Sequence, residues 1–294
     1  MQPAVHVAPE SDRGIEEAVL AAGGQIAPLE QAEALVWLDS NPDSLPDDLP
    51  DQVRWVQLPS AGVEQWLPRT DGSRLWTSAA GAYGRPVAEH AVALMLAGAR
   101  RLADCARAQR WTAPPVVPLH RSTVAVIGAG GIGRALIELL KPFEVDVLAV
   151  TRRGAGDTLR ADRLGEVLPA ADHVVIAAPA TAATRHLIGA AELDAMREDA
   201  WLVNVARGSL VDTDALVAAL AGGAIGGAAL DVTDPEPLPD DHPLWLEPRA
   251  LITPHVANPT ATLRRYLAEH VRENVARFTA GEPLRSVIDA DAGY

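Results

Sequence analysis

Short apolar runs alternate with polar stretches through the first third of the chain. AVHVAP, QIAPL, ALVWL, RWVQLP and LWTSA read as strands, with SDRGIEEAVLAAGG as a helix between the first two. Strands that alternate with helices predict a parallel sheet covered by those helices. Between QIAPL and ALVWL there is too little chain for a full crossover helix. SNPDSLPDDLPDQ, rich in Pro and Asp, predicts an exposed loop. The stretch PVAEHAVALMLAGARRLADCARAQR predicts one long helix from Pro86, apolar around much of its circumference. Such a helix needs cover on more than one side, from its own domain and from a second subunit. After the linker TAPPVVPLHR, strands recur at TVAVI, VDVLAV, HVVIAA, WLVNVA, GGAALD and ALITP, again with helices between them. A last helix, Thr260 to Ala280, is expected to return with the tail to the first domain. The pattern predicts an α/β protein of two domains, residues 1–85 plus 261–294 and residues 86–260.

Composition narrows the class of partner. The 294 residues carry a formal charge of −14, which argues against a nucleic-acid or anionic-membrane surface and leaves room for a local basic pocket. The longest apolar run, around AVALMLAGA, is far short of a membrane span, and MQPAVHVAPE does not have the basic start and apolar core of a signal peptide. A single cysteine, Cys105, cannot form an intramolecular disulfide and fits a reducing, cytoplasmic compartment; its place in a helical run predicts a packing role. The eight histidines show neither helical ligand spacing nor Cys–His grouping, so no metal is expected.

The chemistry begins at TVAVIGAGGIGRALIELL. A strand, a tight turn and a helix with apolar Ile132, Leu136, Leu139 and Leu140 enclose Gly128, Gly130 and Gly133. In such a unit the first glycine makes the turn, the second lets the backbone approach a pyrophosphate and the third packs helix on strand, while the helix N-terminus offers free N–H groups. Gly128, Gly130, Gly131, Ile132 and Gly133 are therefore candidate dinucleotide-binding residues. An NAD site usually carries Asp or Glu about 20 residues later, at the end of the next strand, to bind the ribose hydroxyls. Here that edge reads Thr151, Arg152, Arg153. Asp146 opens the strand and so lies at the opposite edge. With no acid to repel a 2′-phosphate and two guanidinium groups to hold one, the edge points to NADP(H) as the preferred cofactor, with NAD(H) as the other candidate.

Three later strand ends carry suggestive residues: Arg207 in LVNVARGSLVD, Glu236 in LDVTDPEPLPDDHP and His255 in LITPHVANP. Taken singly these are a salt-bridge arginine, a surface acid and a loop histidine. Together, on the edge where a nicotinamide would lie, they make an anion-binding cation, an orienting carboxylate and a proton donor.

The stretches LPSAGVEQWL, GAYGRPVAEHAVALML, VAVIGAGGIGRAL, PATAATRHLIGAAEL, LVNVARGSLVDTDALVAAL, ALDVTDPEPLP and TPHVANPT occur in an order that resembles the D-isomer-specific 2-hydroxyacid dehydrogenase family, and the resemblance covers nearly the whole chain. It implies two doubly wound parallel-sheet domains, Rossmann-like and flavodoxin-like, with a cleft between them. It also implies that Arg207 binds the carboxylate and keto oxygen of a small 2-keto or 2-hydroxy acid, that His255 donates the proton, and that Glu236 holds His255 protonated. The N–H groups of Ala61 and Gly62 would grip the carboxylate, Asp231 and the Val205 carbonyl would orient the nicotinamide carboxamide, and Pro179 and Thr184 would line the cofactor. The helix from Pro86 resembles the family's homodimer element. Within the family the arginine pair resembles NADPH-preferring glyoxylate/hydroxypyruvate reductases. An NAD-dependent 2-hydroxyacid or phosphoglycerate dehydrogenase would favour an acid at position 151, and a formate dehydrogenase would carry glutamine at position 236. A non-catalytic dinucleotide sensor or corepressor is the reading from another class.

Overall fold

The structure, a computed structural model, describes residues 2–294, for residues 260 and 261 the backbone only. In chain order the elements are β1 (Ala4–Ala8), α1 (Arg13–Ala21), β2 (Gln25–Ile26), β3 (Ala34–Trp37), β4 (Trp55–Gln57), β5 (Leu75–Thr77), α2 (Gly84–Ala99), α3 (Leu102–Arg107) and β6 (Thr123–Ile127). They continue with α4 (Gly131–Leu140), β7 (Asp146–Thr151), β8 (Leu159–Arg160), α5 (Leu164–Val167), β9 (His173–Ile176), α6 (Ala190–Ala195), β10 (Trp201–Asn204), α7 (Thr213–Gly222), β11 (Gly227–Leu230), β12 (Ala250–Ile252) and α8 (Thr260–Ala280). Two compact units result, Met1–Tyr83 with Asn258–Tyr294, and Gly84–Ala257.

The first unit is a parallel sheet of order β2-β1-β3-β4-β5. Asp12 starts α1 by accepting the Ile15 N–H at 3.0 Å, and the helix buries Ile15, Ala18 and Val19, one stripe at helical spacing. The chain recrosses from β2 to β3 with a single 3₁₀ turn, Leu29–Gln31, as the short spacing requires. Trp37, Trp66, Trp76, Leu35 and Val56 fill one core. A buried polar chain closes the unit. Trp55 Nε1 donates to Thr77 Oγ1 (2.8 Å), Thr77 Oγ1 donates to Gln57 Oε1 (2.9 Å), and Asn274 of α8 donates to the same oxygen (3.0 Å). Asn274 Oδ1 also accepts the Arg285 N–H at 2.8 Å, which fastens the C-terminal tail.

The second unit is a parallel sheet of order β12-β11-β10-β9-β6-β7-β8. Strand order reverses between β6 and β9, so loops leaving those two strands splay apart and open a crevice above the sheet's carboxyl edge. The core gathers Ile127, Val174, Ile176, Leu202, Leu220 and Leu230. Helix α2 lies on α4, β10 and β11, with Val87, Ala88, Ala91, Leu94, Met95 and Ala99 buried, so most of its apolar surface is covered within its own unit. Gly98 allows this close packing, since a Cβ there would overlap the Trp201 ring.

Two expectations are corrected here. The long helix is broken. Ala99 accepts the Val117 N–H at 2.9 Å, Arg101 takes a left-handed φ of 52°, and α3 starts afresh. Cys105 on α3 is exposed, so it packs into no core. No helix among the described residues is long and apolar enough to cross a membrane, and no group of three or more potential ligands gathers where a metal could bind.

His173, at the start of β9, is 1% exposed, and neither ring nitrogen has a hydrogen-bond partner. Burial pushes its pKa down to about 4, against the weaker pull of Asp172 and Asp199. The unfolded chain therefore binds a proton that the folded chain refuses between pH 6.5 and about 4. Stability is full above that window and falls as pH drops through it, by about 3 kcal/mol for this group. Urea titrations at several pH values should show that decline, and His173→Leu should flatten it; an unchanged slope in the variant would assign the decline to other groups.

Candidate active site

The residues singled out in the second unit lie on loops leaving the carboxyl edge of its sheet. The three glycines of the turn after β6 have three different reasons. Gly128 has a φ of +104° and sits so close to Ala177 that a side chain could not fit. A Cβ at Gly133 would overlap the Gly128 carbonyl oxygen. Gly130, the N-cap of α4, faces open space, as a turn approached by a phosphate must. Gly131 and Ile132 form the first turn of α4, whose leading N–H groups have no partner within the helix. The turn thus combines tight packing at Gly128 and Gly133 with open space, and N–H groups unpartnered within the helix, at the start of α4.

At the end of β7, Arg152 and Arg153 are exposed and Thr151 is half-buried. Thr151 Oγ1 accepts the Gly154 N–H at 3.1 Å and lies 2.9 Å from Thr158 Oγ1, so this hydroxyl shapes the turn that presents the arginines. Arg160 of β8 pairs with Thr151 in register and adds another guanidinium at that sheet edge. Past β9, Thr184 Oγ1 donates to the Pro179 carbonyl at 2.8 Å and accepts the Thr181 N–H at 2.8 Å, which closes this loop on itself.

Beyond β10, Asn204 is fully buried and works as a bracket. Its Nδ2 donates to the Arg207 carbonyl at 2.8 Å and its Oδ1 accepts the Ala206 N–H at 3.0 Å. Val205 is buried beside it. The Arg207 side chain is half-buried and donates from Nη1 to the Ala206 carbonyl at 2.8 Å. Gly208 then meets the loop that carries Glu236, because a Cβ there would overlap the Thr233 carbonyl. Thr213 adds a second tie by donating to the Asp234 carbonyl at 2.7 Å.

The structure brings Glu236 and His255 together, with Glu236 Oε1 2.6 Å from His255 Nδ1. The other carboxylate oxygen accepts the Thr233 N–H at 3.4 Å. A hydrogen bond from Nδ1–H to Glu236 leaves Nε2 as the nitrogen that can present a proton. Asp231 directly follows β11 with a side chain almost wholly buried, and Thr253, Val256 and Ala257 donate to it at 2.6, 3.0 and 3.0 Å while His90 Nε2 lies at 3.3 Å. Burial alone would raise its pKa; the hydrogen bonds from His90, Thr253 and the two N–H groups outweigh that and hold it at about 2. Ala61 and Gly62 belong to the first unit, in the loop after β4.

Residues 92–257 match the model of the D-isomer specific 2-hydroxyacid dehydrogenase NAD-binding domain. The chain belongs to the D-isomer-specific 2-hydroxyacid dehydrogenase family. It is 34% identical over 223 residues to glyoxylate/hydroxypyruvate reductase A of Klebsiella pneumoniae, spanning 72% of this chain and 70% of that protein. It is 40% identical over 292 residues to the uncharacterized protein in the proB 3′ region of Corynebacterium melassecola, spanning 94% and 95%. Among solved structures, a D-isomer specific 2-hydroxyacid dehydrogenase from Xanthobacter autotrophicus, in complex with NADPH and MES, superposes with a TM-score of 0.85 at 28% identity over the whole of both chains. The protein is therefore an NAD(P)-dependent oxidoreductase with the family's two parallel-sheet domains.

Sequence reading passed over Asn204, Gly208, Thr253 and His90, which hold the functional side chains in place without themselves looking reactive. Gly208 gives the sharpest test. Gly208→Ala should push the Thr233–Glu236 loop away from the Arg207 turn and lower kcat by on the order of 10²-fold, as a displacement near 1 Å can do. Cofactor affinity should survive, since the glycine cradle after β6 is untouched. Equilibrium cofactor titration beside steady-state kinetics checks this, and normal kcat in the variant would show that the contact is not needed.

Proposed function

We propose that the protein reduces a small 2-keto acid of glyoxylate or hydroxypyruvate size to the D-2-hydroxy acid, with NADPH preferred over NADH. The observation that carries this reading is the 2.6 Å pairing of His255 Nδ1 with Glu236 at the sheet edge. A bound nicotinamide cofactor supplies the hydride. His255 delivers a proton from Nε2 to the keto oxygen, and Glu236 stabilises the protonated ring that must be present beforehand. Arg207 offers a planar fork for the substrate carboxylate, and the N–H groups of Ala61 and Gly62 are proposed as its second grip. Asp231 and the Val205 carbonyl are proposed neighbours of the nicotinamide carboxamide, and Pro179 and Thr184 of the cofactor. A carboxylate at position 236 speaks against formate oxidation, which needs no proton relay. The NADPH preference rests on Arg152 and Arg153 beside a strand end without an acid, and the NADPH carried by the Xanthobacter relative supports it.

Rate measurements with glyoxylate and hydroxypyruvate, each with NADPH and NADH, test both parts. His255→Ala should lose on the order of 10²-fold or more in turnover. Arg152→Ala with Arg153→Ala should lower efficiency with NADPH by up to on the order of 10²-fold, less at high salt, and leave NADH nearly untouched. Near-normal turnover in the histidine variant would remove the proton-donor assignment. An unchanged ratio of cofactor efficiencies would remove the NADPH preference, and no oxidation of either cofactor by wild type would favour the sensor reading.

We also propose a homodimer, formed through the arm after α2 rather than α2 itself. Leu102, Trp111 and Val116 are exposed there, Trp111 completely, and a second copy covering them would remove that apolar surface from water. Sedimentation should find a dimer in wild type and a monomer in Leu102→Glu with Trp111→Glu; a wild-type monomer would refute the proposal.

A further inference from the structure

We propose that His90 is a positioning residue for the reaction, acting through Thr253 and Asp231 on the turn that carries His255; the inference rests on the reading of His255 as proton donor. His90 lies on α2, among the buried Val87, Ala88 and Ala91, and its side chain is 21% exposed. Its Nε2 is 3.0 Å from Thr253 Oγ1 and 3.3 Å from Asp231 Oδ1.

The direction of each hydrogen bond follows from the chemistry. Asp231, held ionised, has no proton to give, so the 2.6 Å contact with Thr253 must be the hydroxyl donating to the carboxylate. The hydroxyl has spent its one hydrogen and can only accept from His90. That places a proton on His90 Nε2. Asp231 Oδ1 then receives Thr253 O–H and Val256 N–H, with a share of His90 N–H, and Oδ2 receives Ala257 N–H. The Asp231 backbone carbonyl accepts the His255 N–H at 2.8 Å.

One aspartate thus grips three consecutive N–H groups, those of His255, Val256 and Ala257. That grip matters because His255 has a φ of +52°, a conformation that a residue with a side chain keeps only when its surroundings hold it there. Without the His90 N–H, Thr253 can rotate, the buried carboxylate loses a donor, and its hold on Val256 and Ala257 slackens. The His255 ring then drifts from Glu236.

The same helix supplies the reference point. Gly84, six residues before His90 and so roughly 9 Å along the axis, abuts the glycine turn, where a Cβ would lie 2.7 Å from the Gly131 carbonyl oxygen. Helix α2 therefore touches the dinucleotide cradle at one point and the His255 turn at another. His90 sets the height of the proton donor relative to that cradle.

The test is a mutant cycle read by kcat, keto-acid KM and equilibrium cofactor binding. His90→Leu should lower kcat about tenfold, the scale of a small misplacement of a catalytic group. KM should stay within about twofold, because the arginine is not altered, and cofactor affinity should fall far less than kcat, because the glycine cradle is untouched and only the contact proposed between Asp231 and the carboxamide can loosen. His90→Gln, which keeps an N–H donor, should restore most of the rate. Thr253→Val should resemble His90→Leu, Thr253→Ser should resemble wild type, and the double variant His90→Leu with Thr253→Val should be no worse than the poorer single, since both act on one carboxylate. Unchanged kcat in His90→Leu, multiplying losses in the double variant, or a fall in kcat matched by lost cofactor affinity would each overturn the proposal. Should His90→Leu not fold, the Thr253→Val and Thr253→Ser pair with His90→Gln decides it. His255→Ala is measured alongside: full activity there would overturn the proton-donor reading itself, whereas a dead His255→Ala with an unimpaired His90→Leu would overturn only the role of His90.

Discussion

A carboxylate with 2% of its surface exposed must either take up a proton or be surrounded by donors, and Asp231 is surrounded. The donors come from three places: a helix, a neighbouring strand end and two consecutive backbone N–H groups. They can meet at one side chain only because β11 and β12 run parallel and in register, Leu230 opposite Ile252, so that both chains leave the sheet at the same height. The His255 turn is thus a consequence of the sheet. Shifting β12 by one residue would exchange its two faces and carry Thr253 away from Asp231.

The same edge logic places the other groups. Each strand of the second unit is parallel to its neighbours, so every carboxyl end faces one way and successive loops stand side by side. Close backbone contacts then set the spacing between loops. Gly133 sits on Gly128, Gly208 on Thr233 and Gly84 on Gly131, each without room for a methyl group. Distances between functional side chains are therefore fixed by main-chain packing, which yields far less than a side-chain rotamer does.

What could be read from the sequence follows from how local the cause is. The alternation of strands and helices and the glycine turn are written within a few consecutive residues, and both parallel sheets follow from them. The strands of the first unit and the span of α8 were legible for the same reason. The break between α2 and α3 was not, because Arg100 and Arg101 are good helix formers and the turn depends on a hydrogen bond from Val117. Cys105 was misread with it, since a residue expected inside a long covered helix lies instead on a short exposed one. The pairing of Glu236 with His255 was legible although 19 residues separate them. His90 was not: on a helix of small apolar residues it looks like a tolerated polar position, and its partner Thr253 lies 163 residues away.

The charge of the chain poses a last question that only local structure answers. An oxidoreductase of this family handles an anionic dinucleotide and an anionic acid, yet the protein carries a formal charge of −14. At physiological salt an exposed charge is screened over about 8 Å, so carboxylates scattered over the surface contribute little at the sheet edge. Nearer the sheet edge lie the N–H groups opening α4, the half-buried Arg207 and, at the end of β7, the exposed Arg152 and Arg153. Asp231, buried close to the His255 turn, is held ionised by donors on both of its carboxylate oxygens. Surrounding that carboxylate with donors shapes the turn, and their N–H and O–H dipoles oppose its field while its negative charge remains, so the constraint that builds the turn also limits the repulsion felt at the edge.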